Sequence, residues 1–284
     1  MANIRLIKRR IKSATNIAQI TKAMELVAAS KMKKAQAQAQ AGKLYAQKIY
    51  DMVMLLAAKV DLSAHPLLAH KAIAGKRLVV LISSNKGLCG GLNTNLFRFF
   101  SREYGMHPPH DCIALGKKGA LFLTQMGSTV TADFSHETPF TKIVPALTQL
   151  VISEFVAGHY DGVDLVYNEF FSALKQMPRR KTILPLTLDS VQVDQKQEVR
   201  EFLIEPTISE VFESLLPHYV ENQIRDAILQ AEASFYSAQM IAMHSATDNA
   251  RSFMHDLTLL YNKARQEKIT YEISDMVTAR LAVE

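Results

Sequence analysis

The sequence predicts an α/β domain carrying a long antiparallel α-helical coiled coil formed by the two chain ends. Three observations predict it. Glycine and proline are confined almost entirely to the middle of the chain. The two ends repeat their apolar residues at helical spacing. The middle alternates strand-like and helix-like segments.

Gly and Pro punctuate secondary structure, so their absence marks long uninterrupted elements. Residues 1–64 hold one glycine, Gly42, and no proline, whereas 65–217 hold the other ten glycines and all nine prolines. Residues 218–284 hold neither. The chain therefore divides into an N-terminal helix (1–64), a central domain (65–206) and a C-terminal helix (207–284).

In the first segment Ile4, Ile7, Ile11, Ala14 and Ala18 recur at three- and four-residue spacing, with Ile17, Ile20, Met24 and Val27 as an adjacent row. "KKAQAQAQA" follows, rich in strong helix formers. In the last segment Ile224, Ala227, Ala231, Ser234, Ala238 and Ala242 trace a stripe of small residues, and Leu257, Leu260, Ala264 and Ile269 continue an apolar face. Pro206 suits a helix N-terminus, with Thr207 and Ser209 as caps. A 67-residue helix is about 100 Å long. A compact globule of 284 residues is about 50 Å across. Such a helix has to leave the globule, and its apolar stripe needs a partner, for which the N-terminal helix is available. Two or three shorter helices in a bundle are the alternative.

The middle reads as strands at 77–83, 112–116, 128–134, 163–170 and 182–188, with helices at 92–104, 117–126 and 143–158. That alternation predicts a mostly parallel, Rossmann-like sheet.

Charge is segregated. The net charge is +6, yet residues 1–60 carry twelve Lys/Arg against two acids, Glu25 and Asp51, and the remainder carries 21 basic and 25 acidic residues. A basic segment of this density suits a nucleic acid, an acidic membrane surface or an acidic protein; a solvated helix face is the alternative. No run of 18 apolar residues occurs, so no transmembrane helix is expected. The start "MANIRLIKRRIK" lacks the apolar stretch of a secretory signal and runs on into the helical pattern, so it reads as mature protein. Cys89 and Cys112 fit free thiols in a reducing compartment.

The segment most suggestive of chemistry is "SSNKGLCGGLN" (83–93), a glycine-rich loop after a strand. A P-loop needs Lys-Ser/Thr after its last glycine, but Leu92 and Asn93 follow Gly91. The spacing of Gly87, Gly90 and Gly91 also misses the dinucleotide fingerprint. A phosphate site, a specialised backbone turn and an exposed contact loop all stay open. The nine histidines have no metal-box spacing, and neither cysteine has an evident histidine partner. No catalytic residue, metal ligand or cofactor is expected.

Five stretches, "ITKAMELVAASKMKKAQ" (20–36), "SSNKGLCGGLN" (83–93), "YVENQI" (219–224), "MHSATDNA" (243–250) and "YNKARQEKIT" (261–270), stand in order and near the spacing found in the gamma subunit family of F-type ATP synthase. The chain resembles that family over nearly its whole length, most strongly at both ends. The resemblance implies a non-catalytic rotor shaft transmitting torque between the membrane c-ring and the catalytic hexamer in ion-driven ATP synthesis. The partners it implies are the alpha and beta subunits around the coiled coil, the epsilon subunit and the c-ring, with no nucleic acid and no small-molecule ligand. It implies beta-subunit contacts at Lys22, Met24, Lys86, Cys89, Arg265 and Gln266, and a contact loop at Asn85, Gly87, Gly90 and Gly91. It implies c-ring or epsilon contacts at Phe202, Ile204 and Glu205. Two departures stand out: "SNKGL" replaces the family's usual acid and arginine, and "DMVTARLAVE" replaces a small Gly/Ala ending. The family's chloroplast cysteine-pair insertion is absent. This favours a bacterial member, peripheral on the cytoplasmic face of the cell membrane. A basic coiled-coil nucleic-acid-binding protein is the competing expectation. Only Tyr45 and Tyr50 accompany the basic charges, so base stacking is poorly supported.

Overall fold

In a computed structural model the structure describes residues 4–57, 65–68, 75–105, 109–186 and 204–281. Two compact units emerge, one spanning residues 30–238 and the other combining 1–29 with 239–284.

The unit of residues 30–238 is built on a five-stranded sheet of order β3-β2-β1-β4-β5. Its elements run β1 (Arg77–Ile82), α2 (Leu92–Tyr104), β2 (His110–Leu115), α3 (Lys117–Met126), β3 (Val130–Asp133), α4 (Val144–Val156), β4 (Gly162–Phe170) and β5 (Gln176–Leu184). It also takes in parts of the long helices α1 (Ile4–Ala57) and α5 (Ile208–Leu281). β1 pairs in parallel with β2 and β4, β2 pairs in parallel with β3, and β5 returns antiparallel along β4. β1 and most of β2 and β4 are buried on both faces, so their sequences are continuous apolar runs.

Alternate residues of each strand serve opposite layers. Leu78, Val80 and Ile82 of β1 face α4 and the long helices, where Ile49 and Val53 of α1 and Phe212, Leu216, Val220 and Ile224 of α5 join the core. Val79 and Leu81 face α2 and α3 through Leu96, Phe100, Tyr104 and Leu123.

The predicted helices at 92–104 and 117–126 coincide with α2 and α3. The last strand is a correction. It was expected at 182–188 but runs Gln176–Leu184. It is an edge strand whose "PRRK" stretch carries basic groups, and only Ile183 and Leu184 are buried, so apolar alternation is missing over most of its length. Pro178 is tolerated there because an edge strand has backbone groups outside the ladder.

α5 starts two residues after Pro206, with Thr207 Oγ1 accepting the Glu210 N–H at 3.3 Å. It also continues through Pro217. The lost backbone bond there is offset by the full burial of the flanking Leu216 and Val220.

The unit of residues 1–29 and 239–284 joins α1 to α5. Ile7 packs with Leu257 and Ala264. Thr15 Oγ1 donates to Met254 Sδ at 3.2 Å, and the hydroxyls of Thr21 and Thr247 lie 2.7 Å apart. Glu25 Oε1 meets His244 Nδ1 at 3.3 Å. As the α1 residue number rises, the α5 number falls. Of the two expected apolar rows on α1, the Ile7–Ala14 row is the packed one, whereas Ile17, Ile20 and Val27 are exposed. On α5, Leu257 and Ala264 are buried, but Leu260 and Ile269 face solvent at 47% and 43% exposure. This corrects the expected continuous face: the buried stripe is too narrow to take in Leu260, and no described residue from 265 to 281 is buried.

Candidate functional site

The glycine loop leaves the C-terminal end of β1 and enters α2. Its two ends are bonded within the chain. Ser83 N–H donates to Leu115 O at 2.8 Å, and Ser83 Oγ donates to Leu115 O at 3.0 Å while accepting the Gly119 N–H at 2.7 Å. A Cβ on Gly119 would lie 2.6 Å from Ser83 Oγ, so glycine is what allows α3 to approach this closely. Ser84 Oγ donates to Lys86 O at 2.7 Å and accepts from Asn93 Nδ2 at 2.8 Å. Asn85 Oδ1 accepts the Lys117 N–H at 2.9 Å, and the Leu92 N–H reaches Cys89 O at 3.3 Å.

These bonds fix the base of the loop and take up the N–H groups of Ser83, Lys117, Lys118 and Gly119. Lys86, Gly90 and Gly91 are exposed, while Asn85 and Gly87 are half-buried. The Cys89 side chain turns inward and is 4% exposed. Burial pushes its thiol above the ordinary value, and burial pushes Cys112 up to about 12. Neither thiol has the character of a nucleophile. Leu88, absent from the expected contact set, is 60% exposed and adopts φ 63°.

On the paired helices, Lys22 Nζ donates to Glu25 Oε1 at 2.9 Å, and Met24 is half-buried. The Lys22 hydrogen bond holds the Glu25 carboxyl below its usual range, with His244 adding to the effect. His244 Nε2 also faces Asp248 at 3.4 Å, so its ring stands between two carboxylates. Arg265 and Gln266 are exposed on α5, next to buried Ala264. Ile204 packs against the core beneath the sheet, Glu205 is exposed, and Phe202 lies outside the described residues. Lys22 and Met24 lie together on one helix turn, Lys86 and the glycines together in one loop, and Arg265 and Gln266 are neighbours on α5.

Among the described residues, no group of His, Cys, Asp and Glu is placed to hold a metal ion. A cleft of about 500 Å³ lies between α1, β4–β5 and α5, lined by Gln40, Tyr50, Lys181 and Asn222 among others. It lacks a nucleophile–base pair. The sequence reading missed Leu88, Glu25 and His244. No single-sequence signal marks them, because each acquires its setting from a residue distant in the chain or from loop geometry.

The sequence matches the family described as ATP synthase over residues 3–283. It is 39% identical to the ATP synthase gamma chain of Dehalococcoides mccartyi over 291 residues, covering the whole of both chains. It is also 39% identical to that of Methylacidiphilum infernorum and 34% identical to that of Legionella pneumophila, again over the whole of both chains. A chain in the OSCP/F1/c-ring structure of Euglena gracilis mitochondrial ATP synthase matches with a TM-score of 0.67 at 19% identity, covering 99% of this chain and 94% of that one. A chain from the central stalk/c-ring structure of Tetrahymena thermophila mitochondrial ATP synthase gives 0.58 at 24% identity, covering 80% and 99%. At these identities the solved structures establish likeness of fold.

Proposed function

We propose a function from one premise: this chain belongs to the ATP synthase gamma chain family. It is the non-catalytic central-stalk subunit of the rotor, and catalysis resides in other subunits. The observation that carries the mechanical reading is the stepped contact of the chain ends, from Ile7 with Ala264 to Glu25 with His244. It supports an antiparallel coiled coil of the terminal segments 1–64 and 207–284. The sheet order and the strand–helix alternation support a Rossmann-like central domain at 65–206. The family match lends no support to nucleic-acid binding.

The partners follow from that premise. Alpha and beta subunits surround the coiled coil, and epsilon and the c-ring meet the central domain. Lys22, Met24, Lys86, Arg265 and Gln266 touch beta subunits, with Cys89 supporting the loop from beneath. Asn85, Gly87, Gly90 and Gly91 give that loop its shape. Phe202, Ile204 and Glu205 face the c-ring or epsilon. An asymmetric shaft makes different contacts with each beta subunit, so turning it shifts each between states of different nucleotide affinity. Proton or sodium flow through the c-ring drives the turning in synthesis. The location is peripheral, on the cytoplasmic face of a bacterial membrane; no described helix is long and apolar enough to cross one.

Tagging this chain in its own cells and purifying it gently tests the reading. Alpha, beta and epsilon subunits are expected in the eluate. Recovery of the folded chain without alpha and beta would overturn it.

A further inference from the structure

We infer that the cleft between α1, the β4–β5 edge of the sheet and α5 is a binding site for a small hydroxylated monocarboxylate. The inference goes beyond the rotor role and does not depend on it. It also departs from the family resemblance, which implies no small-molecule ligand.

The cleft exists because the side chains of its helices cannot fill it. All of its lining belongs to the unit of residues 30–238. Ile49 and Val53 of α1 reach the core, but Ala39, Gly42 and Ala46 offer only small groups to the gap. A Cβ on Gly42 would meet nothing within 4 Å. These residues belong to "KKAQAQAQAGKLYA", whose Ala and Gln favour a helix but bury little. Opposite them, α5 turns Tyr219, Asn222, Asp226, Leu229 and Ala233 to the cleft, a row spaced three and four residues apart. Tyr50 and Tyr219 meet at one end with ring centroids 6.0 Å apart. The space left open is about 500 Å³.

Several polar side chains of the lining lack partners, and the two that most need one are donors. Asn222 is 8% exposed, and its Nδ2 has no hydrogen-bond partner. A buried donor in that state carries a desolvation cost that a ligand oxygen would relieve. The torsion that carries the amide is soft, so the NH₂ group can swing to an acceptor in the cleft. Lys181 lines the cleft from β5, is half-buried, and makes no ion pair among the described residues. Burial pushes its ammonium below the ordinary lysine range, with Asp226 opposing. The half-buried amides of Gln36 and Gln223 also line the cleft and make no hydrogen bond among the described residues.

These groups define the ligand. An unpaired ammonium and an unpaired amide NH₂ call for an anionic oxygen acceptor. One negative charge suffices, because the other charged groups of the lining are already matched. Glu169 pairs with Arg179, Arg225 pairs with Glu221, and Asp226 accepts from Gln230 Nε2 at 3.0 Å. A phosphate dianion would set a second negative charge beside Asp226. The amides of Gln36 and Gln223 both donate and accept, which suits hydroxyl groups next to the carboxylate. An apolar ligand would leave all of these groups unpaired and drier than before. A carboxylate bound here would join α1, α5 and the sheet within this unit.

The test is protection of Lys181 from acetylation in the full chain, read lysine by lysine by mass spectrometry, with D-gluconate as the probe. Gluconate is expected to slow acetylation of Lys181 saturably and to leave the exposed lysines unchanged. Sorbitol carries the hydroxyls without the carboxylate. It is expected to protect about tenfold less well, the factor that one hydrogen bond to a charged group supplies. Asn222→Leu is expected to raise the half-protecting gluconate concentration about tenfold for the same reason. The variant is expected to keep its melting temperature, because the Nδ2 it removes is unpaired in the chain; circular dichroism would confirm the fold. The sorbitol comparison uses the parent chain and decides the matter even where the variant fails to fold. No protection by gluconate, equal protection by sorbitol, or protection by inorganic phosphate at lower concentration than by gluconate would each overturn the inference. So would an unchanged half-protecting concentration in the folded Asn222→Leu variant. None of these outcomes touches the rotor reading, which co-purification tests separately.

Discussion

Asp164 shows how much one buried residue can decide. It sits fully buried in β4, where Arg77 donates from Nε and Nη2 at 2.7 Å each, Tyr104 OH at 2.7 Å and Thr182 Oγ1 at 2.6 Å. Arg180 Nη2 approaches at 3.2 Å. Burial pushes this carboxyl upward, but the bonds from Arg77, Thr182 and Tyr104 outweigh it and hold the carboxyl below its usual range. Removing one partner of a buried pair costs about 3–5 kcal/mol, because the other charge is left uncompensated. Asp164→Asn is therefore expected to lower the urea midpoint by a corresponding amount at neutral pH. The sign for pH follows from the depressed carboxyl. Its contribution is present above the ordinary carboxylate value and is lost as pH falls through the lowered folded one. The acid limb of stability against pH is expected to be shallower in Asp164→Asn than in the parent; identical limbs would refute the assignment. Nothing in the run "GVDLVYNEF" announces this role, since the five groups meet only once β1, β4, β5 and α2 are assembled.

Among elements, the pairing of α1 with α5 rests on few but specific contacts. Thr247 is buried on α5, and its hydroxyl lies 2.7 Å from that of Thr21 while also donating to Met243 O at 2.8 Å. Thr247→Val keeps the shape and deletes the hydroxyl, with an expected loss of about 1 kcal/mol. That loss is expected as faster amide exchange near residues 243–251 and 17–25, with exchange in the sheet unchanged. Equal acceleration throughout would mean that the hydroxyl pair does not act locally. Periodicity marked Ile7, Ile11 and Ala14 as part of one of two apolar rows, because a 3.6-residue repeat is an intrinsic property of a helix. It could not rank the neighbouring row. Ile17, Ile20 and Val27 have the same apolar character, and only the position of the partner helix leaves them exposed. β5 teaches the converse. An edge strand with a basic outer face has little apolar alternation, and its place was decided by pairing with β4.

For the whole molecule, the decisive expectation is that the chain alone performs no chemistry. Purified and folded, it is expected to release no phosphate from ATP above background, and to bind its partners less well as ionic strength rises, because the +10 segment at 1–60 is screened. Sustained ATP turnover by the isolated chain would contradict its placement as a non-catalytic subunit. The sequence by itself determined the long terminal helices, the α/β character of the middle and the family, because helix periodicity, Gly/Pro punctuation and ordered motifs are local properties of a chain. It also carried the argument that the glycine loop lacks a phosphate fingerprint. Tertiary structure alone decided which way Cys89 points and that Asp164 gathers two arginines. Those facts depend on strand order and register, which bring together residues far apart in the chain, such as Arg77 and Asp164. No local pattern encodes such a meeting, because the free energy that fixes it comes from burying the faces of the sheet under helices.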